Sequence, residues 1–166
     1  LTSAQSTIAS LMTSNRLENG AIVTLQIAPT DHYVMFKDPT QTGVQAEHFE
    51  LVKLTPSEAQ DHADCVFIVT NMSRSGYNLQ LASTAEYVQF STQNTMDTRR
   101  WFVNTTRGME DTLVKVVAEQ NMVRLVASTG HHMIALDVEG HANPVLGAVS
   151  VVKNDKGLFK VTLIGH

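Results

Sequence analysis

Leu25–Phe36 reads LQIAPTDHYVMF, and Leu79–Phe90 reads LQLASTAEYVQF. A third version, RLVASTGHHMIAL, runs from Arg124 to Leu136. In each, an apolar run rich in Leu, Ile and Val meets a step of small residues, and a second β-favouring run follows. Aligned on that step, Ala28-Pro29-Thr30, Ala82-Ser83-Thr84 and Ala127-Ser128-Thr129 coincide, and the third copy carries one extra residue within Gly130-His131-His132. Small and hydroxyl residues between two such runs predict a hairpin turn. Three spaced copies in 166 residues are an internal repeat, which governs how the rest of the chain is read.

Two further strands follow each copy. The first repeat continues with HFELVKL (48–54) and CVFIVT (65–70), the second with RWFVN (100–104) and TLVKVVA (112–118), and the third with GAVSVV (147–152) and LFKVTLI (158–164). Phe49, Trp101 and Val149 fall at similar offsets, so Trp101 reads as a core residue. The partial alternation in 112–118 predicts a strand buried on both faces. The polar segments 38–47, 55–64, 91–98 and 105–111 read as loops. The expected organisation is an N-terminal arm or short helix over 1–20 and one all-β domain over 21–166, with repeats at about 21–71, 76–119 and 121–166. Ile8, Leu11 and Met12 have helical spacing and Gly20 sits at a stop position, so arm and helix both stay open.

The charge balance narrows the partners. A net charge of −4, with no basic run beyond Arg99-Arg100, provides no field to gather nucleic acid or anionic lipid. No apolar stretch has the length of a membrane span, and no signal peptide is visible, so the expected location is cytoplasmic, or secreted without a visible leader. The lone cysteine, Cys65, lies in the apolar run CVFIV and reads as a strand-embedded, inert thiol. Asn71-Met-Ser and Asn104-Thr-Thr match the glycosylation sequon, a tripeptide that is common by chance.

No motif points to catalysis, a metal or any other cofactor. His131 and His132 are adjacent, so on a strand they face opposite ways and do not easily share one ion. Glu110-Asp111 and the pair Asp61 and Asp64 sit in polar segments, where acids are ordinarily solvated. The expectation is a non-enzymatic binding protein.

Twelve short strands in three four-strand units resemble the β-trefoil, in which a six-strand barrel is capped by three hairpins. The third repeat, with Leu136-Asp137-Val138-Glu139-Gly140 followed by an Asn143-containing loop, resembles a unit of the ricin-B-like (R-type) lectins, fungal ones included. That resemblance implies a glycan or glycoprotein partner. It implies Asp137 as the sugar-binding carboxylate, with Gly140, His141 and Asn143 around it. A fixed carboxylate can accept from two neighbouring sugar hydroxyls, and charged acceptors make the stronger bonds. The alternative is that Asp137 tops a hairpin near a turn glycine. The chain departs from the lectin pattern at Gly157-Leu158-Phe159, where a Gln-x-Trp step is expected, and Lys37 and Ser91 stand in the place of Asp137 in the other copies. The same fold class includes protease inhibitors and interleukin-1-like cytokines, so a protease or a receptor is the alternative partner. An inhibitory loop would use Arg99 or Arg100, or lie within 55–64.

Overall fold

The computed structural model describes residues 11–12, 17–28, 30–37, 49–73, 76–91, 100–108, 112–137, 142–150 and 155–165. Twelve strands form: β1 (Ala21–Ile27), β2 (His32–Phe36), β3 (Phe49–Lys53), β4 (Val66–Ser73), β5 (Gly76–Leu81), β6 (Tyr87–Ser91), β7 (Arg100–Thr106), β8 (Val114–Glu119), β9 (Met122–Ala127), β10 (His132–Leu136), β11 (Val145–Val149) and β12 (Phe159–Gly165). Each falls on a run whose composition predicts a strand.

The pairing has a threefold pattern. β1, β4, β5, β8, β9 and β12 pair successively, and β12 returns to β1, so six strands close a ring. The hairpins β2–β3, β6–β7 and β10–β11 spring from β1, β5 and β9. β11 also pairs with β3 and with β7, which ties the hairpins into a cap. This is the β-trefoil. Closure leaves the barrel no unpaired edge strand.

Alternation sends one face of each barrel strand inward. Along β1 these are Ala21, Val23, Leu25 and Ile27, all buried, and Leu79 and Leu125 fill the corresponding places on β5 and β9. Hairpin residues such as Phe49, Phe90 and Met133 complete the same core. Phe49 meets Phe36 edge-on at 5.7 Å between ring centroids, a favourable arrangement for aromatic quadrupoles. The hydroxyl of the repeated step is used locally. Thr30 Oγ1 donates to the Ile27 carbonyl at 2.8 Å and accepts from the His32 N–H, and Thr84 Oγ1 accepts from the Glu86 N–H at 3.2 Å. Such bonds hold a turn that the flanking strands then extend.

The N-terminal segment joins this core. Leu11 and Met12 are helical, and Met12 and Leu17 are buried in the main cluster. The Tyr77 hydroxyl donates to the Leu11 carbonyl at 3.2 Å and accepts from the Leu17 N–H at 3.3 Å. Tyr77 stands near the start of β5, away from the end that leads into β6. Ile8 lies outside the described residues.

Four local expectations are corrected. The segment 55–64 is not an irregular loop, because Pro56–Asp61 is helical and Ala63–Cys65 forms a 3-10 turn. Thr55 and Glu58 exchange capping bonds with each other's backbone N–H at 3.2 and 3.0 Å, and Pro56 opens the helix. The Thr55 backbone N–H, with the Thr55 hydroxyl beside it, holds the Glu58 carboxyl below its ordinary range. The helix covers Tyr33 and Cys65 in a small second core. Thr105 and Thr106 belong to β7 rather than to a loop. β8 is solvated on one side: Val114 is buried, while Lys115 and Val117 are exposed, because among the described residues no element covers the outer face there.

The fourth correction concerns the third repeat. Gln26 pairs with Tyr33, Gln80 with Tyr87, and Val126 with His132. Ala127 therefore takes the place of Ile27 and Leu81, and Ser128 that of Ala28 and Ala82. The third turn is one residue shorter, not longer. The alternation that buries Leu125 and Ala127 overrides the likeness of the Ala-Ser-Thr step. Across the hairpins, Phe36 pairs with Phe49, Phe90 with Val103 and Ala135 with Leu146, so Val103 and Leu146, not Trp101 and Val149, correspond to Phe49. The backbone of Trp101 pairs with Ala148.

Gly76 begins β5 where the chain passes close to β8. A Cβ there would stand 2.3 Å from the Val114 carbonyl oxygen, a backbone atom held by the barrel. Gly76→Ala is expected to cost about 3 kcal/mol, the upper end for overpacking. In a chain of this size that lowers Tm by about 6–12 °C in a thermal melt. Gly108→Ala, whose Cβ would have its nearest neighbour at 3.9 Å, is expected to stay within about 0.5 kcal/mol of the parent.

Candidate functional site

Asp137 follows β10 directly and its side chain is 78% exposed. Lys156 lies in the 3-10 turn Asp155–Gly157 that leads to β12, and its ammonium donates to Asp137 Oδ2 at 3.4 Å. The two rim a cavity of about 170 Å³ that separate parts of the chain build together. Ile27, Leu51, Ala135 and Pro144 make its apolar floor, and Thr30 and His32 complete the rim with Asp137 and Lys156. The floor is held by the fold. Ile27 and Leu51 are buried core residues, and the Leu51 N–H donates to the Pro144 carbonyl at 2.8 Å, which fastens the third-repeat loop to β3.

Of the residues singled out in the sequence, Asp137 lines this cavity. Asn143 is half-buried and donates through Nδ2 to Glu50 Oε1 at 3.2 Å, so its amide braces the loop against β3. Gly140, His141 and Arg99 lie outside the described residues. Arg100 is the first residue of β7, its backbone paired with Val149. Thr30, His32 and Lys156 were not singled out. Their signal was the repeat itself: Thr30 lies in the recurring step, His32 opens β2, and Lys156 sits in a 3-10 turn whose first-repeat counterpart is Ala63–Cys65.

The pairing register shows what the first repeat offers at the same place. Val23 pairs with Phe67 and Val123 with Phe159, so Phe67 and Phe159 correspond. Counting back from them, Asp64 corresponds to Lys156. Counting on from Phe36, Phe90 and Ala135, Asp137 corresponds to Asp38 and Thr92, and Lys37 and Ser91 correspond instead to Leu136. Asp38 and Thr92 lie outside the described residues. A second cavity, of about 410 Å³, is lined by Met35, Phe36, Lys37, His62, Asp64, Ser83 and Thr84. It uses the same three parts: a hairpin's first strand, the 3-10 turn before the fourth strand, and the next unit's β-turn. The two cavities are thus related by the pseudo-threefold axis and differ in chemistry. An anion in one stands where a cation stands in the other.

The remaining reactive groups are structural. Cys65 is fully buried at the end of the 3-10 turn, beside rather than within β4. Burial, reinforced by the nearby Asp64 carboxylate, pushes its thiol up to about 11. Burial, with the neighbouring His132, holds the His131 imidazole below its ordinary range. Among the described residues, no three His, Cys, Asp or Glu side chains converge as metal ligands. Among them, too, no helix is long and apolar enough to cross a membrane.

Neither a protein-family model nor a curated protein sequence matches the chain. Solved structures do, and they share its fold. A designed threefold-symmetric protein, ThreeFoil, superposes with a TM-score of 0.65 at 9% identity, over 86% of this chain and 99% of its own. The Macrolepiota procera ricin B-like lectin superposes with a TM-score of 0.62 at 8% identity, over 89% of this chain and 99% of its own. The Polyporus squamosus lectin superposes with a TM-score of 0.67 at 10% identity over 89% of this chain, which spans 50% of that longer protein.

Cys65 supplies a test of its burial. Its raised pKa means that the folded state keeps the thiol proton while an unfolded thiol loses it near pH 8.5–9. The stabilisation is fully present below that range and is lost as pH rises through about 11. A thiol-reactive dye at pH 8 is expected to leave the folded protein unlabelled and to label it at one site in denaturant. Rapid labelling of the folded protein would contradict this packing.

Proposed function

We propose that the protein binds carbohydrate at the cavity around Asp137 and does not turn it over. One observation carries this reading: an exposed carboxylate, oriented by a lysine, borders an apolar floor fixed by the core. A carboxylate accepts from paired sugar hydroxyls, an ammonium supplies a donor, and the floor takes apolar surface. Among the described residues lining the cavity, Asp137 is the one carboxylate, so the paired acids of glycoside hydrolysis have no counterpart there. The fold neighbours support the reading. The Macrolepiota procera lectin is seen in complex with lactose, and the Polyporus squamosus lectin with Neu5Acα2-6Galβ1-4GlcNAc.

The test is a glycan array probed with the labelled protein and with Asp137→Ala. The parent is expected to bind a defined set of glycans, and the variant to fall to background. An exposed ion pair contributes about 0–1 kcal/mol, so the variant's Tm is expected within about 4 °C of the parent. Undiminished binding by the variant would remove Asp137 from the site.

A further inference from the structure

The turn that leads into β1 carries chemistry of its own. We infer that Asn19 is a self-modification site, whose side chain closes on the Gly20 nitrogen at a rate set by how often the turn leaves the barrel. Asn19 is the one asparagine of the chain followed by glycine. Glycine has no Cβ to obstruct the approach of its nitrogen to the preceding side chain. Asn19 is exposed, and Gly20 adopts a φ of +87°, the value a type II turn asks of its third residue. The Ala21 N–H closes that turn on the Glu18 carbonyl at 3.3 Å.

The reaction needs water alone. The Gly20 nitrogen attacks Asn19 Cγ and gives up its proton, and the side-chain nitrogen leaves as ammonia. Water then opens the cyclic imide at one of its two carbonyls, leaving aspartate or isoaspartate. The fold opposes the first step. The Gly20 N–H donates to the Val69 carbonyl at 2.9 Å, and Val69 is fully buried where β4 pairs with Ala21. An imide nitrogen carries no hydrogen, so the imide and this bond exclude each other. On the other side of the turn Leu17 is buried, and its N–H is held by the Tyr77 hydroxyl at 3.3 Å. Local opening between these two anchors is fast beside a slow covalent step, so the rate follows the population of the open turn. Isoaspartate inserts an extra methylene into the main chain between Leu17 and β1, so a turn modified in this way no longer reaches both anchors at once.

The test ages the protein in mildly alkaline buffer, folded and in denaturant, and maps the peptide spanning residues 17–21 by mass spectrometry. The denatured chain is expected to lose ammonia from Asn19 and to yield aspartate and isoaspartate. The folded protein is expected to react slower by roughly tenfold or more, since opening the turn breaks two hydrogen bonds. Tyr77→Phe keeps the ring and removes the hold on the Leu17 N–H. It is expected to raise the folded rate severalfold, with the Gly20 amide exchanging its hydrogen faster in the same proportion. Should that variant not fold, the parent in denaturant below its unfolding transition takes its place, and modification and Gly20 exchange are expected to rise together. Equal rates in the folded and denatured protein would overturn the gating, as would faster Gly20 exchange with no gain in modification. No product in the denatured chain would overturn the site itself.

Discussion

Six strands of this chain close on themselves, and the inward side chains of all six must fill one interior. That closure sets the positions of everything else. It places Gly76 against the Val114 carbonyl, where a larger residue has no room. It brings hairpins from distant parts of the sequence to one end of the barrel, where β11 pairs with both β3 and β7. It also draws Leu11 and Leu17 onto Tyr77, whose hydroxyl serves as donor and acceptor to two backbone groups at once.

The cavity around Asp137 follows from the same geometry. Its floor comes from β1, β3 and the third hairpin, and its rim from the turn after β1, the start of β2, the end of β10 and the 3-10 turn before β12. No single segment contains a binding motif. The barrel supplies rigid apolar surface, and the turns, which carry little packing duty, supply the polar groups. This division lets related cavities diverge. The 3-10 turns at Ala63–Cys65 and Asp155–Gly157 hold the same position relative to the core, yet one presents Asp64 and the other Lys156. A turn side chain that points to solvent can change sign without disturbing the inward residues beside it.

Expectation and structure part where two local signals disagree. In the third repeat, the Ala-Ser-Thr likeness argued for one register and the alternation of Leu125 and Ala127 for another. Burial decided, because a one-residue slip would turn every core side chain of the strand outward. The segment 55–64 was polar enough to pass for a loop, although Thr55-Pro56-Ser57-Glu58 carries a capping box and a proline at the first helical position. That helix is why Tyr33 is buried more deeply than Tyr87, its counterpart in the second repeat.

The amino-acid sequence by itself determined the twelve strands, their grouping in fours and the turn after each repeat's first strand. These depend on pleat alternation and on local turn chemistry, both of which act over a few residues. Asp137 stood out only through the resemblance of Leu136–Gly140 to a lectin step, and the structure places it at the lining of a cavity. Tertiary structure alone decided that Lys156 orients it, that Asn143 is directed to Glu50, and that Ile27 and Leu51 lie beneath. Asn143 and Glu50 lie 93 residues apart, and Ile27 and Leu51 come beneath Asp137 only once β12 has paired with β1 and β11 with β3.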